Sequence, residues 1–210
     1  MRLLILAHLA LALPAAAQTY ANSPAPGVVR VRLDTSAGPI TLALDTRRAP
    51  ATTKNFLSYV DDHRFDGTVF YRAARSRRAP TFGFVQGGIR TDARRILDPF
   101  PHEPTSQTGI RHLDGTISMA RRMDPRSAGG NFFITVGPMA SMDARPGYPG
   151  YAAFGRVVDG MPVIRRILAS PTGAGMGGAL IVKPILIRHA VRLDGKPRPT
   201  GQVKPWLVGK

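Results

Sequence analysis

The sequence predicts an all-β domain, a sandwich or a barrel, on three observations. Short apolar runs with strand-like alternation recur between glycine- and proline-rich joints, only two stretches carry helical periodicity, and no βαβ alternation or internal repeat is present. With 210 residues, 43% hydrophobic and 20% charged, the chain can bury one ordinary core with a tail to spare.

The elements follow in order. Val29, Val31 and Leu33 alternate with Arg30, Arg32 and Asp34, the period-two pattern of a half-buried strand. Ser36-Ala37-Gly38 then turns the chain into a second alternating run, Ile40, Leu42 and Leu44, so a β-hairpin opens the domain. Pro50 suits a first helical turn, and Phe56, Leu57 and Val60 share one face of the helix behind it. Asp66-Gly67 is a turn before a strand over 68–72, and further strands are expected over 82–86, 115–120, 132–136 and 151–158. Asp159 is placed to cap a second helix, with Pro162 in its first turn and Val163, Ile164, Ile167 and Leu168 facing inward. Residues 180–193 return to strand character. Residues 194–210 carry Lys196, Arg198, Lys204 and Lys210 among three prolines. They read as a solvated basic tail, with Trp206 keeping a docking role open.

Composition removes several function classes. The absence of cysteine excludes disulfides, thiolate catalysis, zinc–thiolate sites and iron–sulfur clusters. Twenty-nine Lys and Arg against thirteen Asp and Glu leave a net charge of +16, which favours anionic surroundings such as membrane surfaces or acidic polypeptides. Arg2, the apolar run over 3–13 and Pro14-Ala15-Ala16-Ala17 have the layout of a secretory signal peptide over 1–17, with cleavage expected between Ala17 and Gln18. That run is about half of the ~20 residues a membrane-spanning helix needs. Residues 18–27 read as a flexible lead-in to a domain over 28–193. Export implies the periplasm if the source is a Gram-negative bacterium. It also argues against a nucleic-acid partner, for which no groove-reading motif or aromatic stacking array is present.

Several motifs fail on context. Gly173, Gly175 and Gly178 match a dinucleotide-binding glycine pattern, but that loop must follow a strand and open a helix, whereas this one follows a helix and precedes a strand. His63, His102, His112 and His189 lack the paired spacing of a metal site, and no Gly-x-Ser-x-Gly elbow supplies a serine nucleophile. Three blocks are more informative. The first is Phe65-Asp66-Gly67-Thr68-Val69-Phe70-Tyr71-Arg72, joined after a gap to Phe84-Val85-Gln86-Gly87-Gly88. The second is Gly115-Thr116-Ile117-Ser118-Met119-Ala120-Arg121 followed by Ser127-Ala128-Gly129-Gly130-Asn131-Phe132-Phe133-Ile134. The third runs from Gly150-Tyr151-Ala152-Ala153-Phe154-Gly155-Arg156 to Met161.

In this order and spacing the blocks resemble the cyclophilin family of peptidyl-prolyl cis-trans isomerases, its exported bacterial branch in particular, over about residues 28–193. The resemblance implies a closed eight-stranded antiparallel β-barrel capped by two α-helices, and an enzyme that accelerates rotation of X-Pro bonds during the folding of exported proteins. It makes Arg72 the catalytic residue and Gln86 a site residue. Met119, Ala120 and Arg121 map to the methionine, alanine and usual asparagine lining the peptide groove, Phe133 to the pocket phenylalanine, and Tyr151 to the family's histidine. Asn131 stands where glutamine is common, one methylene shorter. An enlarged segment between Arg72 and Gln86 leaves both Phe82 and Phe84 as candidates for a second pocket phenylalanine, with Gly83 at the strictly counted position. Ser141 takes the place of a frequent tryptophan, with Met142 beside it as a further pocket residue, so the fungal cyclic-peptide inhibitor that stacks on that tryptophan is expected to bind poorly. No metal or cofactor is implied. The expected partners are proline-containing unfolded or partly folded polypeptides, with weak attraction to anionic membrane surfaces, and the protein is expected to be a monomer. A second reading is a non-catalytic module that binds proline peptides as a chaperone.

Overall fold

The computed structural model describes residues 24–207; the predicted signal peptide and the first part of the lead-in lie outside these residues. Alternation along the sequence is realised as nine strands: β1 (Val28–Thr35), β2 (Gly38–Asp45), β3 (Thr68–Arg75), β4 (Gly83–Gly88), β5 (Thr116–Met119), β6 (Asn131–Val136), β7 (Ala153–Asp159), β8 (Thr172–Gly173) and β9 (Leu180–Arg192). All pairings are antiparallel, in the order β1-β2-β7-β5-β6-β4-β3-β9, and β9 pairs back onto β1, so eight strands close a barrel. The two-residue β8 is a short arm on β9. Closure leaves no free edge among the eight.

The predicted helices are α1 (Pro50–Asp61) and α3 (Met161–Leu168), and the structure adds a one-turn α2 (Thr105–Thr108) that the sequence did not announce. Every second residue of the strands points inward. Val31, Leu33, Ile40, Leu42, Leu44, Phe70, Val85, Ile117, Phe132, Ile134 and Phe154 fill the interior, and all are buried. Phe56 of α1 reaches this core, where Phe132 stands edge-on to Phe56, Phe65 and Phe70. Val163, Ile164, Ile167 and Leu168 of α3 turn inward as their spacing predicts.

Helix ends are handled by partners remote in sequence. The first turn of α1 has no side-chain cap of its own. The buried Glu103 supplies one, accepting from the N–H groups of Ala51 (3.0 Å) and Thr52 (2.8 Å) and from the Thr52 hydroxyl. A carboxylate suits the positive end of a helix. Asp159 does not cap α3, contrary to expectation. It closes β7 opposite Thr41, and Gly160, at φ 91°, is the capping residue. Glycine is needed there because a Cβ would lie 2.6 Å from the Pro39 carbonyl oxygen. The enlarged segment between β3 and β4 is a closed loop, in which Ser76 N–H donates to the Phe82 carbonyl and Phe82 N–H to the Ala79 carbonyl. Arg75 donates to the carbonyls of Leu168 and Ser170 at the end of α3, where a cation is favoured.

The C-terminal tail keeps most of its residues in solvent, as expected, but it is also tied to the barrel at Arg198, Thr200 and Trp206. Asp61 and Asp62 at the end of α1 are both buried. Asp61 pairs with Arg192 and accepts from the Arg198 N–H, and Asp62 accepts from the Thr200 N–H and hydroxyl and from Arg64. The Arg64 guanidinium, itself buried, lies 4.6 Å from the centre of the Trp206 ring. A buried ion pair needs such additional partners. The lead-in is likewise tied where it is described: Gly27 accepts from both the N–H and the hydroxyl of Thr46. Ending the chain at Pro197 removes the Trp206 cover and the charged hydrogen bonds to Asp62. We expect a loss of about 3 kcal/mol and a melting temperature lower by about 6–12 °C; an unchanged melting curve would mean that these contacts contribute nothing.

Candidate active site

Strand register assembles the site. Arg72 of β3 lies opposite Gln86 of β4, Gln86 opposite Phe133 of β6, and Phe133 opposite Ser118 of β5. These four residues form one transverse row on the outer wall of the barrel. Arg72 joins it because the ladder shifts between Phe70 and Arg72, where Phe70 faces Gly87 and Arg72 faces Gln86. In a regular strand residues i and i+2 share a face, so Arg72 would follow Phe70 inside. The extra residue, Tyr71, forms a β-bulge that turns the guanidinium outward.

A directed chain of hydrogen bonds then fixes Arg72. Asn131 Oδ1 accepts from the Arg90 N–H at 2.8 Å, and its Nδ2 donates to the Arg90 carbonyl, which sets the orientation of the amide. The Tyr71 hydroxyl donates to the same Oδ1 at 3.1 Å and therefore offers its lone pair to Gln86 Nε2, at 2.8 Å. Gln86 is left with Oε1 towards Arg72, whose Nη1 donates to it at 3.2 Å. Burial pushes the Tyr71 phenol above its ordinary value, so it remains a protonated donor. The Arg72 guanidinium carbon stands 5.0 Å from the centre of the Phe84 ring, and Arg72 Nε is buried without a partner.

Phe133 is the hub of the apolar part. Although it points outward, it is only 3% exposed, because Phe84 (5.3 Å), Tyr151 (5.3 Å, edge-on) and His112 (5.7 Å, stacked) surround it. Met142 sits beside this cluster, its carbonyl accepting from the Tyr151 N–H. Ala120 continues from β5, its N–H bonded to the Asn131 carbonyl. Arg121 donates to the carbonyls of Gly150, Arg122 and Met123 and lies 4.9 Å from the Tyr151 ring centre.

Residues 30–191 match the model of the cyclophilin type peptidyl-prolyl cis-trans isomerase/CLD family. The chain belongs to the cyclophilin-type peptidyl-prolyl isomerases. It is 40% identical over 161 residues to peptidyl-prolyl cis-trans isomerase A of Dickeya dadantii, covering 76% of this chain and 82% of the relative. It is 37% identical over 164 residues to the isomerase cyp18 of Streptomyces antibioticus, covering 76% and 96%. Among solved structures, a cyclophilin of Cryptosporidium parvum superposes with a TM-score of 0.65 at 22% identity, covering 80% of this chain and 99% of its own. The same protein has been solved in the presence of the dipeptide Ala-Pro, with a TM-score of 0.63. The protein is accordingly a peptidyl-prolyl isomerase.

Within this cyclophilin barrel three predicted site residues fall elsewhere than expected. Met119 is not on the groove wall: it pairs with Phe132 and is wholly buried in the interior, sharing the inward parity of Ile117. Phe82 is 45% exposed and rests on Gly137, so Phe84 alone of the pair meets Phe133 and Arg72. Asn131 is engaged by Arg90 and Tyr71 and so anchors the hydrogen-bond chain rather than standing free in the groove. Two contributors were not singled out in the sequence. Tyr71 links Gln86 to Asn131. His112 stands behind Phe133, its Nδ1 2.6 Å from Asp143 and its Nε2 3.0 Å from the Ser118 hydroxyl. The spacing of Ser118, His112 and Asp143 is that of a nucleophilic triad, but Ser118 and His112 are sealed from solvent, so the array orients a ring and attacks nothing.

Two cavities of about 520 and 410 Å³ flank α1 and touch none of these residues. An X-Pro segment of a polypeptide needs an open wall rather than a cavity, so the row on the barrel surface is the better site.

Burial holds the His112 imidazole below its ordinary 6.5, against the opposing pull of Asp143. The unfolded chain then binds a proton that the folded chain refuses, so this contribution is complete above about pH 6.5 and is lost as pH falls. Asp194, held low chiefly by its Arg30 hydrogen bonds, acts only in the range below about pH 4. Thermal melts between pH 7.5 and 5.5 should therefore fall more steeply for the native protein than for His112→Gln; parallel curves would refute the assignment.

Proposed function

We propose that this isomerase uses Arg72 to stabilise the half-rotated X-Pro bond over an apolar platform of Phe133, Phe84 and Tyr151, with Gln86 holding the guanidinium in place. The cis and trans forms differ by only ~0.5–1 kcal/mol, yet a barrier of ~18–20 kcal/mol separates them. The barrier is lost conjugation between the nitrogen lone pair and the carbonyl. Halfway through rotation that lone pair is localised and basic, so a donor aimed at it favours the transition state over both ground states. Arginine keeps its proton and offers rigid donors.

The observation that carries this reading is the half-buried Arg72 guanidinium beside Phe84, its Nη1 held by Gln86 and its Nη2 without an acceptor among the described residues. A charged donor without a protein partner at the edge of an apolar platform is available to a substrate atom that accepts from it. Gln86 holds Nη1, so the side chain need not reorganise during the reaction. The flanking rings exclude water from one side of the bond, which strengthens the hydrogen bond where it is needed. Neither a nucleophile nor a metal has a role in such a rotation. That the C. parvum protein has been solved in the presence of Ala-Pro supports proline-containing peptides as substrates here.

The reading extends to compartment. The leader over 1–17 and the cleavage point between Ala17 and Gln18 support an exported enzyme acting on slow X-Pro steps in the folding of exported proteins. Amino-terminal sequencing of the exported protein tests this, and a chain beginning at Met1 would contradict it.

One charged hydrogen bond is worth about 1.5–3 kcal/mol, or about one to two decades of rate. Exchange spectroscopy on an Ala-Pro tetrapeptide should therefore show kcat/KM about 10- to 100-fold lower for Arg72→Ala, with the fold unchanged by circular dichroism. Phe84→Ala should lose about tenfold through the weakened platform, and Phe82→Ala should retain full activity. Full activity in Arg72→Ala would sink the mechanism.

A further inference from the structure

We propose that this enzyme favours X-Pro bonds with an acidic residue two or three positions from the proline, and that Arg121 selects them. The inference rests on the site assignment above and names a substrate class for it. Arg121 stands where the resemblance leads one to expect a neutral asparagine, so a charge has been added to the groove rim. It is a fixed charge. Nε donates to the Gly150 carbonyl at 2.9 Å and Nη1 to the carbonyls of Arg122 and Met123, while the guanidinium lies on the Tyr151 ring. All three bonds go to neutral carbonyls, so the positive charge is held but not neutralised, and Nη2 has no protein acceptor among the described residues.

The neighbourhood reinforces it. Arg145 lies 4.4 Å from the Tyr148 ring centre, and Arg121 lies 5.9 Å from the same ring. Across the platform Arg90 lies over Tyr71 at 5.3 Å. Arg72, Arg90, Arg121, Arg122 and Arg145 make no ion pair among the described residues, while three carboxylates on the same loops are already engaged. Asp92 pairs with Arg94 and Arg95, Asp124 with Arg126, and Asp143 with His112 and Arg111. Asp124 does feel Arg121, but its carboxylate is held low first by its hydrogen bond to the Arg126 N–H. The rim therefore carries a positive field that Asp92, Asp124 and Asp143, each already paired, do not cancel.

Position follows from contact distances. Arg121 is 4.9 Å from the Tyr151 ring, which is 5.3 Å from the Phe133 ring, so the guanidinium is at most about 10 Å from the platform that seats the proline. An extended peptide covers that distance in about three residues. A Glu carboxylate there reaches Nη2 with planar, charge-assisted geometry, whereas a Lys meets a like charge.

The test is kcat/KM by exchange spectroscopy on Ala-Pro peptides carrying Glu, Gln or Lys at each of the three positions on either side of the proline. At low ionic strength the best Glu peptide should exceed its Gln counterpart by about threefold or more, and the Lys peptide should fall below it. About 0.5 M salt should compress the series. Arg121→Gln should bring the Glu-to-Gln ratio to about one, and Arg121→Lys should restore part of it. Equal rates across the series in the native enzyme, a ratio indifferent to salt, or a ratio that survives in Arg121→Gln would overturn the proposal. If Arg121→Gln does not fold, the native ratio and its salt dependence decide alone. A native enzyme inactive on every peptide would instead refute the site assignment on which the inference rests.

Discussion

The bulge at Tyr71 is the constraint on which the site depends. Phe70 and Arg72 are two residues apart on one strand, and regular alternation would send both into a barrel already filled by Phe56, Phe65 and Phe132. An unpaired guanidinium cannot be buried in such a core without a large penalty. The extra residue resolves the conflict locally: Phe70 keeps its place against Phe132, and Arg72 is carried into a row with Gln86, Phe133 and Ser118. Adjacent strands lie about 4.8 Å apart, so the row sets the backbones of donor and platform about 10 Å apart with the supporting glutamine between them. The displaced residue is not wasted. Tyr71 turns its hydroxyl into the gap between Gln86 and Asn131 and becomes the link that orients the glutamine.

The polarity of that link matters as much as its presence. Each amide could be turned either way in isolation, but Arg90 presents both an N–H and a carbonyl to Asn131, which leaves one arrangement. The choice passes through Tyr71 to Gln86 and ends with an oxygen facing Arg72. The backbone of a loop thus determines the orientation of a guanidinium on the neighbouring strand. The ring platform is held from behind in the same manner. Asp143 accepts from the His112 backbone N–H and lies against Nδ1, so the imidazole cannot slide from beneath Phe133. Both halves of the site are preorganised by hydrogen bonds made within the protein.

Much of this was legible from sequence, and the failures have physical causes. Alternation gave the opening hairpin, because Val31, Leu33, Ile40, Leu42 and Leu44 are all inward-facing. The face of α3 followed equally from its spacing. Counting failed at Phe82 and Phe84, because a loop that changes length shifts every index beyond it. Parity from Gln86 would have chosen Phe84, since residues two apart share a face. Met119 was misplaced for the opposite reason: its block suggested a groove, whereas its alternation with Ile117 already pointed inward. The docked tail was invisible because the contacts between Asp62 and Thr200 span 138 residues, beyond the reach of any local pattern. Asp159 looked like a cap because acidic residues suit helix starts, but the tight approach to Pro39 demanded the glycine that follows it.

The net charge of +16 is better understood once the arginines are divided by what they touch. Arg64 is buried against Asp62 and Trp206, Arg95 reaches the carbonyls of Arg64 and Asp66, Arg75 ties a loop to the end of α3, and Arg192 closes on Asp61. These are structural cations whose donors are spent, and a chain could carry many of them without attracting any partner. Arg121 differs although it also binds carbonyls. Its bonds fix the side chain while leaving it without an ion-pair partner among the described residues, on aromatic rings that continue into the platform. A charge that is immobile, unneutralised and next to an apolar seat acts on the substrate as a built part of the groove. The same charge on a mobile surface side chain would be screened within about a Debye length and averaged over its rotamers. The distinction between a basic protein and a basic site therefore lies in hydrogen-bond partners, which composition alone cannot express.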